Sequence, residues 1–134
     1  MPFDPALAPT VLALGALAGL LLIQLIAADV IGILRRHPPG TLVREDPQEL
    51  LFRASRTVAN SNESLGAALL VIGFAWLSET PASWMNILTI TYVASRVAYA
   101  AAYYSNLALL RSACFGVGIV ALLVLLVRAI WGWL

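Results

Sequence analysis

Two groups of polar residues in this chain are spaced for one helical face and lie inside otherwise apolar sequence. Arg56, Asn60 and Glu63 follow at i, i+4 and i+7, with Arg53 one turn before them. Arg96, Tyr99 and Tyr103 follow at i, i+3 and i+7. On an α-helix each set forms a stripe along one side, while Asn62 points away from the first stripe. An isolated charge in a bilayer costs at least ~2.5–3.5 kcal/mol, so such residues must find partners. They can pair among themselves and fix helix packing, or they can line a site for a polar ligand. One pair of opposite charges would serve packing. Here several arginines, an asparagine and two tyrosines accompany a single glutamate. The surplus is positive and rich in donors, which describes a pocket for an anionic, polar ligand, with structural pairing as the competing reading.

The elements that carry these stripes are membrane spans. The chain has 134 residues, 61% hydrophobic and 11% charged, where soluble domains carry roughly 25% charged residues. Its length allows one domain. A spanning helix needs about 20 mostly apolar residues, and four such runs occur, at about 10–34, 54–77, 84–110 and 112–134. The second helix begins before its apolar part, because Asp46, Pro47 and Glu49 read as an N-cap, a first-position proline and a third-position glutamate. Pro81 likewise suits the first turn of the third. The expected helices are therefore about 10–34, 47–77, 81–110 and 112–134, an all-α membrane four-helix bundle. In an antiparallel pair of the two middle helices, Glu63 and Tyr99 both lie roughly 14–17 Å below the membrane surface, with Arg96 slightly deeper. The two stripes can therefore meet.

Orientation follows from the arginines. The connection from Arg35 to Arg53 also holds Arg36, Arg44, Glu45, Asp46 and Glu49, whereas the connection around Ser78 to Ser83 carries only Glu79. Arginine excess marks the cytoplasmic side, so the first connection is expected inside and both termini outside. Arg111 then also falls inside, and Arg128 is the one basic residue near the outer end. Met-Pro-Phe-Asp-Pro at the start has no positive n-region, and the apolar run after it exceeds a signal-peptide core, so it reads as a retained first span. All eight basic residues are arginine and lysine is absent. With the abundance of Ala, Leu and Val this suggests a GC-rich bacterial source and an inner-membrane location.

Other chemistries find little support. The net charge of +1 makes no case for nucleic acid. One cysteine, Cys114, and one histidine, His37, give no intramolecular disulfide and no evident metal site or Ser-His-Asp triad. Cys114 reads as a small core residue, and His37 as a solvated loop residue beside Arg36 and Pro38. Gln24 and Asp29 lie on different faces of the first helix, and Asp29 reads as a structural partner for an arginine.

The stripes also carry a resemblance. Arg53 to Glu63, RASRTVANSNE, resembles the R-x-x-R-x-x-x-N-x-x-E signature of the MAPEG family, the membrane-associated proteins in eicosanoid and glutathione metabolism. Arg96 to Tyr103, RVAYAAAY, resembles its second signature, R-x-x-Y-x-x-x-Y. The resemblance covers essentially the whole chain. It implies a homotrimer of four-helix protomers that binds glutathione as co-substrate at protomer interfaces open to the cytoplasm. A lipophilic electrophile or hydroperoxide enters from the bilayer. Carried over, Arg53, Arg56, Asn60 and Glu63 would contact glutathione from the second helix, and Tyr99 and Tyr103 from the third, with Arg96 supporting them. Arg111 resembles the catalytic arginine near the thiol in eukaryotic synthases, offset by one position. Thr57 stands where members often have alanine, and Ser64, Leu65 and Gly66 where they often have proline or a bulky residue. The implied activity is a glutathione-dependent transferase or peroxidase. A non-catalytic membrane scaffold, or a subunit of a larger membrane complex, is the alternative, and a small transporter using Glu63 and Asp29 is a third reading.

Topology can be checked directly. In a Cys114→Ala background, Ser83→Cys should react with an impermeant thiol reagent in intact cells and Thr41→Cys should be protected. The opposite pattern would reverse the assigned orientation.

Overall fold

The computed structural model describes residues 4–134. Asp4 accepts a hydrogen bond from the Ala6 amide at 2.9 Å and starts a single 3-10 turn, Pro5–Leu7. Four helices follow: α1 (Ala8–Leu34), α2 (Leu50–Leu77), α3 (Ala82–Tyr104) and α4 (Ala108–Trp131). No strand occurs among the described residues. The single turn with α1 and, separately, α4 are long and apolar enough to cross a membrane. The middle helices fall short on composition because they hold the polar stripes. Their 28 and 23 residues nevertheless span roughly 42 and 35 Å, more than the ~30 Å hydrocarbon core.

Each helix turns a narrow line of side chains inward. On α1 the line is Thr10, Ala13, Leu17 and Gln24, while Leu12, Leu22, Ile23 and Ile26 are exposed, as befits a lipid-facing surface. On α2 it is Ala54, Thr57, Ser61, Ser64, Ala68, Ile72 and Ala75, at helical spacing and mostly small. Apolar packing concentrates towards the end away from the Arg35–Glu49 connection, where Leu17, Ile72, Met85, Tyr92, Leu122 and Leu125 join one core. Two polar ties secure that end. Thr10 donates through its amide (3.1 Å) and hydroxyl (2.7 Å) to Asn86 Oδ1, and Asn86 Nδ2 donates to the Ala6 carbonyl (2.9 Å), binding the start of α1 to α3. Trp133 Nε1 donates to Ser78 Oγ at 2.8 Å, binding the end of α4 to the end of α2.

The stops of α1 at Leu34 and α2 at Leu77 fall where the sequence places them, whereas the stop of α3 and the starts of α2 and α4 differ, and the reason is capping. Three helices stop in the same way. After α1, the Arg36 and His37 amides donate to the Ile33 and Gly32 carbonyls; after α2, Glu79 and Thr80 donate to Trp76 and Ala75; after α3, Asn106 and Leu107 donate to Tyr103 and Ala102. Each is a Schellman motif, which needs a left-handed residue just past the helix. Arg36, Glu79 and Asn106 supply it at φ 53°, 50° and 58°. Glycine, the usual residue there, is absent from all three; the end of the apolar run marks the first two stops, and nothing comparable marks the third. The cap at Asn106 ends α3 at Tyr104 instead of about residue 110, and α4 starts at Ala108. Arg111 therefore lies in the first turn of α4, not in a connecting turn. At the start of α2, Asp46 Oδ1 accepts from the Gln48 amide at 2.9 Å. Asp46, Pro47 and Gln48 form a turn ahead of the helix, which begins at Leu50.

A non-glycine residue in the left-handed region carries a penalty of about 1–2 kcal/mol, smaller for asparagine. Arg36→Gly should therefore raise stability by up to about 1 kcal/mol after the entropic cost of glycine, and Asn106→Gly by clearly less. Thermal unfolding in detergent micelles reads the order. A destabilised Arg36→Gly would mean that the arginine side chain contributes more than its backbone strain removes.

Candidate functional site

The two polar stripes meet, and the point of meeting is Arg96. Its residue is 2% exposed, and its Nη2 donates to Asn60 Oδ1 on α2 at 2.6 Å. One turn along α3, the Tyr99 ring lies beneath the guanidinium with 4.5 Å to the ring centre, and the Phe115 ring of α4 is 5.7 Å away. Such cation–π contacts help a desolvated guanidinium that has no carboxylate beside it. The register that brings Asn60 to Arg96 also brings Ser64 to Tyr92, whose hydroxyls are 3.2 Å apart. Four residues forward on α2 correspond to four back on α3, as antiparallel helices require.

A second arginine extends the cluster towards the Arg35–Glu49 end. Arg111, half-buried in the first turn of α4, lies 4.5 Å from the centre of the Tyr103 ring. Tyr103 and Tyr99 are both buried, with ring centres 5.6 Å apart, and Tyr99 is 6.3 Å from Phe115. Asn60, Arg96, Tyr99, Phe115, Tyr103 and Arg111 thus form one continuous cationic and aromatic patch across α2, α3 and α4. Close approach of α3 and α4 permits it. A Cβ on Gly118 would stand 2.5 Å from Ser95 Oγ, so only glycine fits there without a shift.

The remaining sequence candidates are distributed differently. Arg56 and Glu63 are exposed on the protomer, and Asn60 is half-buried beside them. Arg96 is satisfied by Asn60 and aromatic faces, not by Glu63. Arg53 is half-buried and folds back on its own chain, with Nη1 donating to the Pro47 and Gln48 carbonyls at 3.0 and 2.9 Å. It ties down the turn before α2. Thr57 is fully buried and donates to the Arg53 carbonyl at 2.7 Å. Asp29 is exposed and Gln24 is buried. Cys114 is half-buried, short of the core position expected for it. His37 is half-buried as well, and its Nε2 lies 3.1 Å from both the Thr41 carbonyl and hydroxyl, closing a loop turn. Sequence reasoning missed Phe115. The signal for it was one turn of α4 beyond Arg111, at the depth of Tyr99.

In chemical terms the patch offers two guanidinium groups held on aromatic faces, with a third, Arg56, free at the surface of the same end. Guanidinium groups bind carboxylates in bidentate fashion and favour thiolate over thiol. Residues 10–131 match the model of the MAPEG family, and the chain belongs to that family. No curated protein and no solved structure matches it.

The Asn60–Arg96 bond is open to a double-mutant cycle. Asn60→Leu should cost about 1.5–3 kcal/mol of stability, the worth of a hydrogen bond to a charged group. Arg96→Met combined with Asn60→Leu should cost less than the two separate losses together, by 0.5 kcal/mol or more. Strictly additive losses in thermal unfolding would deny the pair.

Proposed function

We propose that this MAPEG protein binds glutathione at the Arg96–Tyr99–Tyr103–Arg111 patch and uses it as a membrane transferase or peroxidase. The lipophilic substrate, an electrophile or hydroperoxide, would reach it from the bilayer. The observation that carries the reading is the placement of two guanidinium groups, of Arg96 and Arg111, on one continuous tyrosine surface. Glutathione has two carboxylates, one ammonium group and a thiol. Arg56 and the remaining donors of the patch suit the carboxylates, Asn60 and the tyrosines suit the peptide groups, and Glu63 suits the ammonium. Arg53 joins this set by its position on the stripe, once its side chain leaves the turn before α2. Arg111 would hold negative charge on the sulfur. The thiolate would bond to the electrophilic carbon, expelling its leaving group or adding across an activated double bond, or would take the terminal peroxide oxygen, breaking the O–O bond to release an alcohol and a sulfenic acid that a second glutathione converts to disulfide and water.

The exposure of Arg56 and Glu63 on a single protomer supports a homotrimer in which a neighbouring copy covers the ligand at the cytoplasmic end. One observation favours the second reading, a scaffold or subunit without catalysis. Arg111 already rests on the Tyr103 ring, and the offset of Arg111 from the synthase spacing leaves its guanidinium a purely structural use.

Arg111→Ala separates the two. Glutathione should still stabilise the variant thermally, with affinity within a few-fold of the parent, because other groups hold the carboxylates. Thiolate absorbance of the complex, titrated with pH, should move upwards by on the order of one unit when the positive charge is removed. Turnover of a lipophilic electrophile near neutral pH should fall and partly recover as pH rises. Superimposable titrations, or no thiolate in the parent protein at neutral pH, would favour the scaffold. A monomer in mild detergent that still binds glutathione would remove the interface.

A further inference from the structure

The end of the bundle away from the arginine patch holds a cavity of about 860 Å³ between α1, α2 and the start of α3. That is within the usual size of small-ligand pockets, about 300–1,000 Å³. Val11 and Leu14 of α1, Leu69 and Trp76 of α2 and Met85 of α3 supply apolar wall. Gly73 lines it too, and a Cβ there would meet nothing within 4 Å. The walls are fixed, because the Thr10–Asn86–Ala6 tie clamps α1 to α3 at this level.

Its polar groups gather at one end. Asp4, Glu79 and Thr80 line the mouth, and no arginine is among the lining residues. Asp4 and Glu79 are exposed, so the mouth is an acidic rim over an apolar slot. Thr80 is 9% exposed, and its hydroxyl is buried without a hydrogen-bond partner. From Leu77 to Leu69 the slot runs roughly 12 Å along α2, room for an alkyl chain of roughly eight carbons.

We propose that this cavity binds an amphipathic monocation, a single alkyl chain bearing an ammonium head. The chain fills the slot past Gly73 towards Leu69. The head sits between Asp4 and Glu79, where the negative field concentrates cations. The site stands apart from the arginine patch, roughly 20 Å away along α2 between Asn60 and Gly73, and does not depend on glutathione.

Trp76 in the wall supplies the readout. Bromo-octylammonium should quench it saturably in non-ionic micelles, and the saturable part should vanish in Trp76→Phe. Bromo-octanol should bind several-fold more weakly, and bromo-octanoate more weakly still. Glu79→Gln and Asp4→Asn, the latter able to keep the bond to the Ala6 amide, should each bring the cation several-fold closer to the alcohol. Gly73→Leu should abolish saturable quenching by filling the slot. Ala82→Leu, which narrows the mouth, replaces it should Gly73→Leu fail to assemble. Linear quenching with every probe is micelle partitioning and overturns the site. Saturable binding that ignores the filled slot, or that favours the anion, overturns it equally.

Discussion

A guanidinium group that cannot reach water constrains this bundle more than any apolar contact does. Arg96 is 2% exposed in the third helix, where an unaccompanied charge would cost at least ~2.5–3.5 kcal/mol. The protein accompanies it from three helices at once, with the Asn60 carboxamide on one side and the Tyr99 and Phe115 rings on others. Because those groups come from α2, α3 and α4, the register of all three is fixed around one side chain. Apolar packing alone specifies register weakly, since neighbouring leucine and alanine positions are nearly interchangeable. A hydrogen bond with a fixed length is not. The Ser64–Tyr92 contact one turn back along α3 repeats the same register. Gly118 against Ser95 provides the close approach that α3 and α4 need.

That constraint divides the molecule along its length. Nearer the arginine-rich connection, the interior is polar and aromatic and could bind charge. Towards the other end, it is a packed apolar core that leaves one pocket with an acidic rim. α1 stands between the two regimes. Its inward line runs from Thr10, tied to Asn86, through apolar Ala13 and Leu17, and then presents Gln24, whose amide is buried with neither atom hydrogen-bonded. Gly32 of α1 approaches Leu51 of α2, so in antiparallel register Gln24 lies level with the stretch between Thr57 and Ser61. Ser61 Oγ is also buried without a partner. The small polar face of α2 therefore continues across to α1 instead of ending at the arginine patch.

Much of this was legible in the sequence, for a physical reason. Stripes of polar residues at helical spacing stand out against an apolar background, and a bilayer forbids leaving them unmatched. Opposed stripes on two helices then imply contact, as Asn60 and Arg96 make, but the register sets Glu63 level with Val93 and not with Tyr99 as the depths suggested. The partner of Arg96 was less legible. Charge reasoning points to Glu63, whereas a neutral carboxamide and two aromatic faces satisfy Arg96 and leave Glu63 at the protomer surface. Arg53 illustrates another limit. Periodicity assigns a residue to a face, but the carbonyls of the turn ahead of a helix lie outside its hydrogen-bond ladder, and a long arginine side chain can serve them instead, as Arg53 serves Pro47 and Gln48. The end of α3 was least legible, because Asn106 stands where glycine would have announced it and the apolar run continues to Leu110.

The cap after α3 has the furthest consequence for chemistry. Had α3 continued to about residue 110, Arg111 would have sat in a flexible connection, free to snorkel towards lipid phosphates. Stopping at Tyr104 and restarting at Ala108 places Arg111 inside a regular helix, and its guanidinium rests on Tyr103 at 4.5 Å from the ring centre. Its position is then set by the same α3–α4 packing that surrounds Arg96. It also lies in the first turn of α4, where unpaired backbone amides and the helix dipole favour negative charge. Arginine and helix start act in the same sense on any anion brought to the Tyr103 face. Under the proposed function that anion is a thiolate, and a fixed charge stabilises it better than a mobile one, because no ordering is needed when the anion forms. The same rigidity would serve a scaffold equally well by locking two helices together. The distinction between enzyme and scaffold therefore rests on whether an anion reaches that face, not on how firmly Arg111 is held.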